Sequence, residues 1–129
     1  PWTDLTLSGA SMQEKARQDF ILNQAHLAKF AGLYAGAHDL THPLISPLYA
    51  DLGGLPPLLI QIGTDEVLLD DARRTAAAAD SAGVDARLEV YDGMIHVFHM
   101  FPFFGETRQA LASIARFGKE RIRIQHPAG

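Results

Sequence analysis

Asp65 and His96 offer a carboxylate and an imidazole, each just beyond a short apolar run. The runs are Leu58-Leu59-Ile60-Gln61-Ile62-Gly63 and Ala86-Arg87-Leu88-Glu89-Val90-Tyr91, and both read as strands. An imidazole so placed can take a hydroxyl proton during nucleophilic attack and return it to a leaving group. A carboxylate beside it would hold the tautomer and stabilise the imidazolium that forms. The third partner of such a triad is missing. No G-x-S-x-G elbow occurs in the chain.

The elements between the two residues predict how they are positioned. One helix-length segment separates the runs, so the order is strand, helix, strand, and a right-handed crossover would set the two exits side by side at one edge of a parallel sheet. Asp70 and Asp71 stand where the crossover helix begins and are expected to cap its free N–H groups. Gly83 should end it. Two strands alone leave both outer edges unpaired and little core area. The simplest explanation is a missing front half, with Pro1-Trp2-Thr3-Asp4-Leu5 leaving an upstream strand.

Upstream of these runs the chain falls into three stretches. Residues 1–10 form a loop rich in Thr, Ser and Gly. Ser11 and Glu14 have the spacing of a capping box, which predicts a short helix to about Gln18. Asn23 is expected to cap a second helix, with Leu27, Phe30, Ala31 and Tyr34 at helical spacing and Gly36 as its stop. Residues 38–57 hold four of the seven prolines and read as an ordered loop. A last helix is expected over about 106–121, with Ala110, Leu111, Ile114 and Phe117 on one face.

Composition removes several function classes. The 129 residues are 47% hydrophobic and 20% charged, which suits one globular domain. Eleven Lys and Arg against 15 Asp and Glu give a net charge of -4, and no basic patch points to nucleic acid. The longest basic cluster, Lys119 to Arg123, is broken by Glu120 and Ile122 and reads as the solvated face of the last helix. Zero cysteines exclude disulfides and thiolate chemistry and fit a reducing, cytoplasmic setting. No apolar stretch approaches the roughly 20 residues of a membrane span.

Four stretches together resemble one family. They are Pro1-Trp2-Thr3-Asp4-Leu5; Ser46-Pro47-Leu48-Tyr49-Ala50-Asp51-Leu52 with Leu55-Pro56-Pro57-Leu58-Leu59-Ile60; Gly63-Thr64-Asp65-Glu66-Val67-Leu68; and Gly93-Met94-Ile95-His96-Val97-Phe98. In this order they look like the C-terminal part of the hormone-sensitive-lipase-like carboxylesterases, the bacterial family IV esterases of the α/β-hydrolase fold. The resemblance implies an α/β class, with the last two parallel strands and flanking helices of that fold plus part of a helical cap. Residues 1–45 would be the strand exit and partial cap, and residues 46–129 the C-terminal part of the catalytic domain. It also implies a serine elbow and an H-G-G-G oxyanion motif in an upstream half, no metal or organic cofactor, and esters of short to medium acyl chains as substrates.

On this resemblance Asp65 is the triad acid and His96 the base, while cap side chains such as Phe20, Leu27 and Phe30 would line an acyl pocket. Phe98 joins them as a candidate, although core packing is the expected use of at least two of Phe98, Phe101, Phe103 and Phe104. Arg87 to Tyr91 and the final helix are candidates for a homodimer contact. The implied partners are the missing N-terminal half and a small ester.

Each of these residues could equally serve the fold. Asp is common in turns after strands, and Glu66, Asp70 and Asp71 are alternative acids in the same loop, the last two better explained as caps. His96 between Ile95 and Val97 could be a packed histidine, with His99 as its nearest competitor. His26, His38, His42 and His126 lack ligand spacing, so no metal site is expected. Ser11 reads as a cap, and Ser8, Ser46, Ser81 and Ser113 have no elbow context. A second class of function is a non-catalytic module that binds itself or a partner through its exposed sheet edge.

Overall fold

A computed structural model describes residues 1–125, with side chains through residue 121. His126 and the side chain of Arg123 lie outside the described residues. Two compact units divide between His96 and Val97, so the expected boundary near residue 45 falls inside the first unit.

The first unit is built on β1 (Leu58–Gly63) and β2 (Ala86–Tyr91), the only two strands among the described residues, paired in parallel with Leu58 opposite Ala86 and Gly63 opposite Tyr91. Their bounds are those of the two apolar runs. Leu58, Ile60 and Ile62 alternate along β1 and, with Leu88 of β2, pack into one core with Val67, Leu68, Leu69, Ala72 and Ala76. That alternation follows from the two-residue repeat of a strand. The crossover helix, numbered α3 below because two helices precede it, runs Leu69–Ser81 and packs on both strands. It ends as Gly83 predicts: Gly83 takes φ +76, its N–H donates to Asp80 O, and Val84 N–H donates to Ala79 O. A residue without Cβ adopts that left-handed conformation at no steric cost.

Upstream of β1, α1 covers only Ser11–Glu14, and α2 covers Gln24–Ala35. Asn23 caps α2 through a 2.9 Å bond from His26 N–H, and Gly36 stops it at φ +59. The capping box at Ser11 does not form. Ala10 is the N-cap of α1, and the buried Ser11 hydroxyl donates to Val67 O at 2.7 Å and accepts from Asp70 N–H at 3.0 Å. Ser11 therefore caps α3, a helix 59 residues away in sequence. The carboxylates of the first turn of α3 also reach outward. Asp70 accepts from Ser11 N–H, and Asp71 accepts from Thr3 and Asp4 N–H at 2.9 Å each. They satisfy donors of the N-terminal loop, where capping of their own helix was expected.

The same loop carries a buried charge cluster. Asp4 accepts hydrogen bonds from Thr6, Ser8, Tyr49 and Arg74, the last at 2.9 Å, and Arg74 also meets Asp71 at 3.3 Å. Burial alone would raise the Asp4 carboxyl, but the bonds from Ser8, Thr6 and Arg74 outweigh it and hold the pKa at about 2. For Asp71 burial prevails and the pKa is raised. One guanidinium thus joins two carboxylates shifted in opposite directions.

In the second unit, α4 runs from Gly105 to Gln125 after a 3-10 turn at Phe98–Met100. Thr107 Oγ1 donates to the carbonyls of Phe98 and Phe101 at 2.7 and 2.8 Å, which fixes the turn against the start of the helix. The apolar face expected on α4 is corrected. Ala110 and Ser113 are buried, whereas Leu111 and Ile114 are nearly half exposed. Phe101, Phe103 and Phe104 cluster with ring centroids 4.7 to 6.1 Å apart. No described helix is long and apolar enough to cross a membrane.

Candidate active site

Two loops, one after each strand, meet at the C-terminal edge of the sheet. Thr64 N–H donates to Tyr91 O, Asp65 N–H to Met94 O, and Gly93 N–H to Thr64 Oγ1. Gly93 makes the turn after β2 with φ +67. Gly63 matters for a different reason. A Cβ built there would lie 1.9 Å from Met94 O, so only glycine lets the second loop come so close to the first.

These contacts bring His96 to a carboxylate, and that carboxylate is Glu66. His96 Nδ1 lies 2.8 Å from Glu66 Oε2, and Glu66 Oε1 accepts Gly63 N–H at 2.7 Å. A carboxylate only accepts, so the imidazole donates from Nδ1 and keeps its lone pair on Nε2, the form that serves a general base. Glu66 is 3% exposed, which withholds it from water and makes the pair directional. The expected pairing of Asp65 with His96 is thereby corrected. Asp65 has a part-exposed side chain whose ion-pair contact is Lys15 Nζ at 4.0 Å. The turn that starts at Gly63 carries residue 66, not residue 65, inward.

Beyond His96 the backbone is strained. Val97 takes φ +54 and ψ +30, a left-handed conformation rare for a β-branched residue and costing about 1–3 kcal/mol. Such outliers cluster at functional sites.

The expected pocket residues separate. Leu27 is buried in the core formed with Met12 and Ile62, and Phe98 is fully buried, so neither presents a surface to a ligand. Phe20 is 77% exposed. Phe30 lines an open apolar groove of about 670 Å³ with Trp2, Leu5, Leu33, Tyr34, Leu44, Ile45 and Pro47. Along α2, Leu27 and Ala31 face the core while Phe30, Leu33 and Tyr34 face outward, which divides the expected apolar stripe in two. Neither Glu66 nor His96 lines the groove.

Three of the five serines are occupied as structural groups: Ser8 on Asp4, Ser11 on α3, and Ser46 between Leu5 N–H and Leu40 O. Among the described residues no three metal-ligating side chains come together.

A buried carboxylate and an imidazole at adjacent exits of parallel strands are the arrangement the α/β hydrolases use. The family model described as alpha/beta hydrolase fold matches residues 1–100. The chain belongs to this family. An acetyl-hydrolase of Streptomyces hygroscopicus is 42% identical over 118 residues, which cover 91% of this chain and 40% of that protein. A crystal structure of an esterase from the bacterial hormone-sensitive lipase family superposes with a TM-score of 0.88 at 48% identity, covering 91% of this chain and 40% of that one. A crystal of the esterase EstE5 soaked with p-nitrophenyl butyrate matches with a TM-score of 0.87 at 42% identity, covering 93% and 40%. The likeness to hormone-sensitive-lipase-type esterases read from the four sequence stretches is thus borne out. The chain spans about 40% of the length of these relatives.

Glu66 stands in the sequence as an alternative acid, one position beyond the expected Asp65. No local period ranks the two, because β1 ends at Gly63 and both residues lie in the turn beyond it.

Proposed function

We propose that this chain supplies the acid and the base of a serine carboxylic ester hydrolase, with His96 as general base and Glu66 as the acid that orients it. The observation that carries this reading is the 2.8 Å hydrogen bond between His96 Nδ1 and the buried Glu66 carboxylate. The serine and the oxyanion donors would come from the remainder of a longer polypeptide. The serine would attack the ester carbonyl as His96 Nε2 takes its proton, the same nitrogen would protonate the alcohol that leaves as the acyl-enzyme forms, and a water giving its proton to His96 would then release the acid and free the serine. Glu66 would stabilise the imidazolium at both steps. The relatives' names, acetyl-hydrolase among them, and the butyrate ester soaked into one neighbour support short acyl esters as substrates. The groove beside Phe30 is a candidate wall for the acyl chain, within a cap formed partly by residues 1–45.

The test is turnover of p-nitrophenyl acetate and butyrate by the serine-containing polypeptide that carries this chain. Glu66→Gln and His96→Ala should each lower kcat on the order of 10⁴-fold, and Asp65→Asn should leave most of it. The 129-residue chain by itself should turn over neither ester. Loss in Asp65→Asn with full activity in Glu66→Gln would reverse the assignment of the acid.

A further inference from the structure

We propose that Asp19 is a positioning residue for this chemistry, one that holds the Glu66 turn from behind; the proposal rests on the reading of Glu66 as the acid. Asp19 is 4% exposed, and no step of the proposed reaction uses it. Its carboxylate accepts three backbone N–H groups. Oδ1 takes Ile21 and Leu22 at 3.0 and 2.8 Å, and Oδ2 takes Val67 at 3.0 Å. A carboxylate removed from water needs such donors, and three charge-assisted bonds supply them.

The Val67 amide is the peptide bond that leaves Glu66, so its orientation sets the direction in which the Glu66 side chain departs. The other backbone group of Val67 is held as well, because Ser11 Oγ donates to its carbonyl at 2.7 Å. Both main-chain groups beside the acid are therefore gripped by side chains from residues 11–19, 48 and 56 positions away in sequence. The far end of Glu66 is held separately by Gly63 N–H and His96. With backbone and carboxylate fixed independently, the acid meets the imidazole without having to order itself at each turnover. The same Asp19 oxygen that shapes the turn at residues 21–22 leads the chain toward α2 and Phe30, so one carboxylate sets both the acid and the start of the arm that bears the groove.

The two oxygens allow the roles to be separated. Asp19→Asn keeps an acceptor for Ile21 and Leu22 but turns an NH2 group toward the Val67 N–H. In the serine-containing polypeptide with p-nitrophenyl butyrate, kcat should fall roughly 10- to 100-fold while KM stays within about twofold. The downfield proton resonance of His96 Nδ1–H should move or broaden. Unchanged kcat and an unchanged resonance in Asp19→Asn, with turnover lost in Glu66→Gln, would overturn the positioning role alone. Full turnover in Glu66→Gln would overturn the reading beneath it, and the proposal with it. Should Asp19→Asn fail to fold, replacing the Glu66–Val67 amide by an ester removes the donor and leaves Asp19 intact. The same loss of kcat is then expected, and full kcat would overturn the proposal.

Discussion

At the scale of single residues, the candidate site depends on which carboxylate turns inward and on a glycine that makes room. Asp65 and Glu66 are neighbours of like charge, and the strand period alone cannot rank them, because it ends at Gly63. Burial of the next residues, Val67 and Leu68 at 1% and 2% exposure, pulls the backbone so that Glu66 faces His96 and Asp65 faces Lys15. The glycine makes a stringent prediction. With Met94 O only 1.9 Å from a Cβ at residue 63, Gly63→Ala forces backbone against backbone, and no side-chain rotation relieves it. We expect a loss of about 3 kcal/mol or more, measured by urea denaturation of the polypeptide carrying this chain. A variant as stable as the parent would mean that the loops approach less closely than described. His96 itself was legible, because Gly93 three residues earlier marks the turn after β2.

At the scale of elements, the strands and the crossover helix follow from local pattern. β1 and β2 carry apolar residues at a period of two, and Gly83 closes α3 with the φ that glycine allows. Asn23 was equally readable, since its side chain bonds within one turn of its own helix. Ser11 was not. Its spacing to Glu14 satisfies the capping-box rule, yet α1 is a four-residue helix with little to gain, and the hydroxyl instead serves the N-terminus of α3. Ser11→Ala would leave Asp70 N–H and Val67 O without this partner in a buried setting, at a cost of roughly 1–3 kcal/mol. If Ser11 were only a cap of α1, the loss would be a few tenths, as for a frayed short helix. Thermal denaturation of the two forms side by side separates these values.

At the scale of the whole molecule, burial of charge and exposure of apolar surface decide behaviour. Asp4, Asp71 and Arg74 join the N-terminal loop to α3, and acid should weaken this join through Asp4. Its folded pKa of about 2 lies below the ordinary 3.8, so its contribution is full above pH 3.8 and lost as pH falls through 2. Asp71 works in the opposite direction, because its raised pKa makes proton uptake favour the folded form. The stability difference between the parent and Asp4→Asn should therefore shrink between pH 4 and pH 2 in denaturant titrations. A difference that stays constant over that range would show that Asp4 gains nothing from its charge. Apolar surface tells the complementary story. Phe30, Leu33, Tyr34 and Leu44 are 57 to 82% exposed around one groove, a density more typical of surfaces that meet other groups than of a bare monomer face.

The strands, the crossover helix, the imidazole and the lack of a serine elbow can all be read along the chain, because each is written in local period, turn chemistry or a short motif. Four ordered stretches were enough to point to the family. Long-range packing sets Glu66 and not Asp65 against His96, braces Ser11 and Asp70 across 59 residues, and brings Asp19 to Val67. The physical reason is common to all three. A polar side chain chooses its partner by which unsatisfied donor or acceptor burial brings near, and packing across distant segments makes that choice, which spacing along the chain does not encode.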